Sequence, residues 1–228
     1  MQIYTYILIN FLTIIICFIF SFDHRIQFCK HFAAFLKGNT VVAIPFIAWD
    51  IAFTKMGVWW FNTAYTMPFR LASLPIEEWL FFICIPFSCV FSYFCLDKFF
   101  NLNWTNRYNN LLVWITVVVC TVTGILFYQK IYPLVTSIIT AGTVLYLYYI
   151  AKASWIGKGS FVYLCLMPGF FMVNGVLTGT GLESPIVNYN MDQILNIRIL
   201  TIPVEDAVYG YAQFMLNIYF FKQFQKNK

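Results

Sequence analysis

Long apolar runs broken by short polar joints are the dominant pattern of this chain. Seven can be drawn, over residues 3–21, 40–56, 75–96, 109–128, 132–150, 160–178 and 202–221. Each is close to the ~20 residues that cross a hydrocarbon core as a helix. The pattern therefore predicts an all-α integral membrane protein with seven transmembrane helices. The joints hold breakers and charges, such as Phe22-Asp23-His24-Arg25, Gly38-Asn39 and Gly157-Lys158-Gly159. The first run has no basic stretch ahead of it and no small-x-small cleavage site after Phe20, so it reads as a retained helix and not as a signal peptide.

Composition agrees with this pattern. The chain is 61% hydrophobic and only 10% charged, with mean hydropathy +0.74, against about 25% charged residues in a typical soluble domain. Seven spans in 228 residues leave no room for a soluble domain. The net charge of +5 is unevenly placed. Arg25, Lys30, Lys37, Lys98, Arg107, Lys152, Lys158, Lys222, Lys226 and Lys228, ten of the 14 basic residues, fall on one side of the predicted membrane. Lys55, Arg70, Lys130 and Arg198 fall on the other. The positive-inside rule then predicts an N-terminus outside and a C-terminus in the cytoplasm, as for a protein of a bacterial inner membrane. Basic loops meeting anionic lipid account for the charge, so no nucleic-acid partner is called for.

One polar pattern occurs twice. Arg70-Leu71-Ala72-Ser73-Leu74-Pro75-Ile76-Glu77-Glu78 returns 128 residues later as Arg198-Ile199-Leu200-Thr201-Ile202-Pro203-Val204-Glu205-Asp206. A second pair, Trp49-Asp50 with Thr54 and Gly57, returns 124 residues later as Val173-Asn174 with Thr178 and Gly181, so the second copy has a loop four residues longer. Helices 1–3 thus match helices 5–7, with helix 4 as connector. Residues 1–108 form the first repeat, 109–130 the connector and 131–228 the second repeat. An odd connector makes the repeats parallel, related by an axis along the membrane normal.

That topology places Asp50, Arg70, Glu77 and Glu78 in one layer, and Asn174, Arg198, Glu205 and Asp206 in the same layer. Acids at the start of hydrocarbon-embedded helices are costly and point to function. Pro at N1 followed by acids also makes a good helix start, but the double occurrence with Arg at the same spacing favours a paired chemical site. Adjacent carboxyls in a dry setting supply an acid beside a base, and the Arg is expected to set which one keeps its proton. Phe81 and Phe82 lie one turn beyond Glu77 and Glu78, where rings would stabilise a cation. Tyr209 takes the place of Phe81 in the second copy and Gly210 that of Phe82. Trp49, Trp59 and Trp60 read as an interfacial belt. The seven cysteines, with no C-x-x-C, read as small hydrophobes. His24 and His31 read as solvated loop residues and not as a metal pair.

Pro75-Ile76-Glu77-Glu78 with Phe81-Phe82, Pro203-Val204-Glu205-Asp206, Trp49-Asp50, and Asn174 with Thr178-Gly179 together resemble the small membrane lycopene cyclases of carotenoid biosynthesis. The resemblance spans nearly the whole chain, as a fused two-repeat form. It implies lycopene β-cyclase activity on a membrane-dissolved substrate, yielding γ- and β-carotene. An acid protonates the terminal alkene, a neighbouring alkene attacks the cation, and a base removes a ring proton. It implies Glu77, Glu78, Glu205 and Asp206 as the acid/base carboxyls. Asp50, Asn174, Arg70, Arg198, Phe81, Phe82 and Tyr209 would hold the substrate. The resemblance calls for no metal or organic cofactor, and it implies contact with other carotenoid enzymes. The second copy departs in lacking the Phe pair. Two alternatives stand beside this reading: a small transporter built from parallel three-helix repeats, and a related carotenoid enzyme such as a hydratase. The absence of Asp-x-x-x-Asp argues against a prenyltransferase, and the absence of Gly-x-Gly-x-x-Gly against a flavin-dependent cyclase.

Overall fold

The computed structural model describes residues 2–226. The first half runs α1 (Thr5–Phe20), α2 (Phe32–Lys55), β1 (Trp59–Phe61), β2 (Arg70–Leu71), β3 (Leu74–Pro75) and α3 (Ile76–Phe99). α4 (Asn109–Leu126) connects it to the second. There α5 (Ile131–Leu145) is extended by a π-helical turn, Tyr146–Ile150, followed by α6 (Ile156–Leu177), β4 (Val187–Tyr189), β5 (Arg198–Ile199), β6 (Ile202–Pro203) and α7 (Val204–Lys226). The element order repeats, as the sequence pattern predicts. The small hairpins β2–β3 and β5–β6 even share a register, with Arg70 opposite Pro75 and Arg198 opposite Pro203.

The halves are tied at one end. β1 and β4 pair antiparallel with Trp60 opposite Asn188, which makes Phe61 the positional counterpart of Tyr189. Asn62 donates its backbone N–H to Ile186 O at 2.8 Å and its amide to Ser184 Oγ at 3.0 Å. Each half also anchors its own loop the same way, through Tyr6 N–H to Tyr65 O and Tyr132 N–H to Gln193 O.

Two joints expected from glycine lie inside helices. α2 begins at Phe32, eight residues ahead of the expected start, and carries Gly38-Asn39 within it. A Cβ on Gly38 would come within 2.9 Å of the Phe221 backbone nitrogen of α7, so the glycine is a point of close helix approach. Asn39 donates its amide to Phe82 O of α3 at 3.0 Å. α6 likewise contains Gly157 and Gly159, where an added Cβ would clash with Thr105 O and come within 2.8 Å of Met215 Sδ respectively. Breaker and close-packer are the same residue type, and only the neighbour tells them apart.

Among the described residues, six helical segments are long and apolar enough to cross a membrane: Gln2–Phe20, Phe28–Lys55, Ile76–Phe99, Asn103–Leu126, Ile131–Ile150 and Ile156–Leu177. α7 is long enough but too polar to qualify on its own. It packs against α2, α3, α5 and α6, which surround its polar residues and remove the need for an apolar circumference. The chain is an integral membrane protein whose seventh helix is sheltered by the others.

Two apolar clusters fill the interior. One, around Phe46, Trp49, Phe53, Trp59 and Tyr132, lies at the end holding the repeated acids. The other, around Phe28, Phe87, Phe91 and Phe221, lies towards the opposite end. There Asp97 of α3 takes Lys158 of α6 at 2.5 Å and Lys222 of α7 at 3.7 Å. Several single-residue expectations change. Trp49 and Trp59 are buried in the core and only Trp60, 48% exposed, suits an interfacial belt. His24 is exposed, but His31 packs against the rings of Phe94 and Phe221 and contacts Gln225. All seven cysteines are unpaired. Lys228 and the side chain of Lys226, counted for orientation, lie outside the described residues.

Candidate active site

Each acid motif folds identically because each hairpin delivers an extended Pro to the start of a helix. Pro75 sits at φ −64°, ψ 150° and is the N-cap of α3, one position earlier than the N1 place expected of it. Glu77 and Glu78 therefore stand in the first turn, as Glu205 and Asp206 do in α7. The two members of each pair then face different ways, and this divides their work.

The first members hold loops. Glu77 Oε1 accepts the backbone N–H of Met67 at 2.7 Å, and Glu205 Oε1 accepts that of Leu195 at 2.5 Å. Both are almost fully buried, each with its second oxygen unpartnered among the described residues, and neither lines the cavity described below. Arg70 and Arg198 point back into their own hairpins, donating to Ser73 O at 3.4 Å and Thr201 O at 2.5 Å. Neither forms an ion pair with the acids among the described residues, and neither lines the cavity, so the expected role of choosing the protonated member lacks a contact. Arg198 instead stacks over the Tyr189 ring at 5.8 Å.

The second members face a shared space. A cavity of about 620 Å³ is lined by Glu78 and Asp206 together, with Asp50 and Asn174 from the middle of the repeat, and by Phe81, Phe82 and Tyr209. Its size is that of a ligand site. It runs along α3 from Glu78 to Ser92 and along α7 from Asp206 to Asn217, roughly 15–20 Å at 1.5 Å per residue. Leu12 of α1 and Met172 of α6 line it while remaining 58% and 70% exposed. The mouth thus opens between α1 and α6, on a surface that lipid covers in a membrane.

The two acid centres differ in their partners. Glu78 Oε2 accepts the hydroxyl of Tyr6, and Glu78 shares the cavity wall with the Asp50 carboxyl. Asp50 Oδ1 accepts Trp59 Nε1 at 2.6 Å and Thr54 Oγ at 3.4 Å, whereas Oδ2 receives no hydrogen bond from an N–H or hydroxyl. Asp206 accepts Tyr132 at Oδ1 and Tyr189 at Oδ2, both at 2.8 Å. Burial, and then the neighbouring Asp206 charge, push the Tyr189 phenol well above its usual range, so it remains a donor. Aromatic rings close around these groups: Tyr209 lies 4.7 Å from Trp49 and 5.1 Å from Phe46, and Tyr132 lies 5.1 Å from Trp59.

Sequence reasoning did not single out Tyr6, Tyr132 and Tyr189, and it assigned Trp59 elsewhere. The signal for two of them was present: each tyrosine occupies the first turns of the opening helix of its repeat. The absence of a second Phe pair also has a cause. A Cβ on Gly210 would meet Tyr163 Oη at 2.8 Å, and that hydroxyl donates to Ala207 O at 2.7 Å. Tyr163 from α6 fills the place that the Phe82 ring takes in the first half, and it lines the cavity.

A protein-family model described as Lycopene cyclase matches residues 3–96 and 129–224, which is both repeats without the connector. No curated protein and no solved structure matches the chain.

Proposed function

The chain belongs to the lycopene cyclase family, and we propose that it is a β-cyclase that isomerises lycopene to γ-carotene and then β-carotene inside the bilayer. The observation that carries this reading is the convergence of three carboxyl groups, Asp50, Glu78 and Asp206, with a set of aromatic rings on one mainly apolar cavity. The hydrocarbon substrate approaches through the lipid-facing mouth between α1 and α6. A carboxylic acid protonates C2 of the terminal C1=C2 bond. The tertiary cation at C1 is attacked by the C5=C6 π pair, which forms the C1–C6 bond and leaves a cation at C5. A carboxylate removes the C6 proton, restoring a C5=C6 double bond. One proton enters and one leaves, so the sum is an isomerisation. Rings over the cavity stabilise the cation without capturing it, and exclusion of water prevents its hydration. The scheme draws on no metal or organic cofactor.

With both acid centres on one cavity, each binding event closes one ring. γ-Carotene is then released or turned end for end before the second closure. The working division of the chain is residues 1–108, 109–130 and 131–228, with neither half expected to act alone because each contributes to the same cavity wall. The acid end lies on the outer side, with the N-terminus outside and the basic joints in the cytoplasm of a bacterial inner membrane.

The test is pigment analysis of lycopene-accumulating bacteria that express this chain alone. Conversion to γ- and then β-carotene is the expected result. Unchanged lycopene beside normal membrane levels of the protein would overturn the reading.

A further inference from the structure

The two carboxyl centres on the cavity are related by the repeat, yet their surroundings are not equivalent. In the first half, two carboxyls, those of Glu78 and Asp50, line the cavity. Two carboxyls on one dry wall can share a hydrogen bond once one of them carries a proton. Asp50 Oδ2, which receives no N–H or hydroxyl, is the acceptor such a proton would satisfy. Leaving both carboxyls ionised on the same dry cavity would be far more costly. In the second half the repeat places Asn174 where Asp50 stands, so no carboxyl pair forms. Asp206 instead accepts two phenol hydroxyls, one on each oxygen. Two donors and no acceptor favour the ionised carboxylate. The second of those donors, Tyr189, has Phe61 as its counterpart in β1, so the first half cannot supply the same pair.

We infer that the repeats have divided the chemistry, with the Asp50–Glu78 pair as the proton donor and Asp206 as the proton acceptor of a single composite site. Tyr132 and Tyr189 are positioning residues that hold Asp206 ionised and aimed into the cavity. Tyr6 and Trp59 position the donor pair, each filling one oxygen so that the pair's proton has a defined place. The step balances within the cavity. The pair loses one proton to C2 of the substrate, Asp206 gains one from C6, and return of that proton to the pair resets the site. This inference rests on the cyclase reading and specifies it: duplicated halves do not act as two equivalent sites, one for each end of the substrate.

The experiment uses membranes containing the full chain, supplied with lycopene in liposomes in D₂O, with mass analysis of all C40 products and of recovered lycopene. Wild type, Glu78→Gln, Asp206→Asn and Tyr189→Phe are compared at equal membrane levels. Wild type forms β-rings. Glu78→Gln yields neither rings nor deuterium in any C40 compound. Asp206→Asn loses β-rings by at least 100-fold but still yields C40 compounds bearing solvent deuterium, because the cation forms and ends by losing another proton or taking up water. Tyr189→Phe lowers ring formation by about tenfold and raises the ratio of such aberrant products to β-rings, which a loss of packing alone would not do. The reverse pattern, with deuterium surviving in Glu78→Gln and absent in Asp206→Asn, would overturn the division while leaving the cyclase reading intact. So would deuterium-free lycopene in both variants. An inactive wild type would overturn the cyclase reading, and the division with it.

Discussion

Glu77 and Glu78 are neighbours in the chain, as are Glu205 and Asp206, and in each pair one residue builds the fold while the other faces the cavity. The first member turns to a backbone N–H ten residues upstream and fastens the loop that leads into its helix. The second meets tyrosine hydroxyls and the open space. On a helix, consecutive side chains are separated by about 100°, so adjacent acids cannot serve one site equally. The doubled acid is best understood as two different residues side by side.

That comparison is broken most directly at the cavity-facing members. Removing the acid/base function by Glu78→Gln or Asp206→Asn is expected to lower carotene formation by about 10²–10⁴-fold, measured as ring formation per unit of membrane protein. A loss no greater than in Glu77→Gln would mean that the division between pinning and facing residues is wrong. The next largest effect is expected where the second half departs from the first. Gly210→Phe would force a ring into the space of Tyr163 and cost about 1–3 kcal/mol or more by overpacking. Thermal unfolding in detergent reads this as a lower midpoint, and Tyr163→Ala in the same chain should recover part of it.

The pinning members are sharpened by truncation. Glu77→Ala and Glu205→Ala each leave a backbone N–H unpaired, at a cost of about 1–3 kcal/mol. Glu77→Gln keeps an acceptor oxygen and should cost far less. Protease sensitivity of the loop ahead of Pro75 would report the release of Met67 in Glu77→Ala. Smallest of all, Arg70→Ala removes an exposed side chain held by a 3.4 Å hydrogen bond inside its hairpin, and it should shift stability by no more than about 0.5 kcal/mol. A collapse of ring formation in Arg70→Ala at normal stability would restore to that arginine the role the sequence pattern suggested.

Much of the architecture was legible in the sequence because hydropathy and repetition are local properties. Seven apolar runs, a fused two-repeat plan and the acid layer at one end follow from spacing alone. Reading α7 as an ordinary span was less accurate, since its polarity is tolerated only inside a ring of other helices. Gly38 and Gly159 were taken for joints because a glycine's role as breaker or contact depends on a distant backbone or side chain. The tyrosines were missed for a related reason. Tyrosine is common here, with 15 in the chain; the repeat marks only Tyr6 and Tyr132, by their place at the start of α1 and α5, and nothing local marks Tyr189.

By itself, then, the sequence determined the fold class, the duplication and the kind of residue proposed to carry the chemistry, since each is written in composition and period. Only the tertiary structure decided that both acid centres open on one cavity, which member of each pair faces it, and that Asp50 and Asn174 make the halves unequal. Those facts depend on contacts between residues that lie far apart in the chain, such as Tyr6 with Glu78 and Tyr132 with Asp206. Side-chain direction and long-range packing set them, and a periodic pattern carries neither.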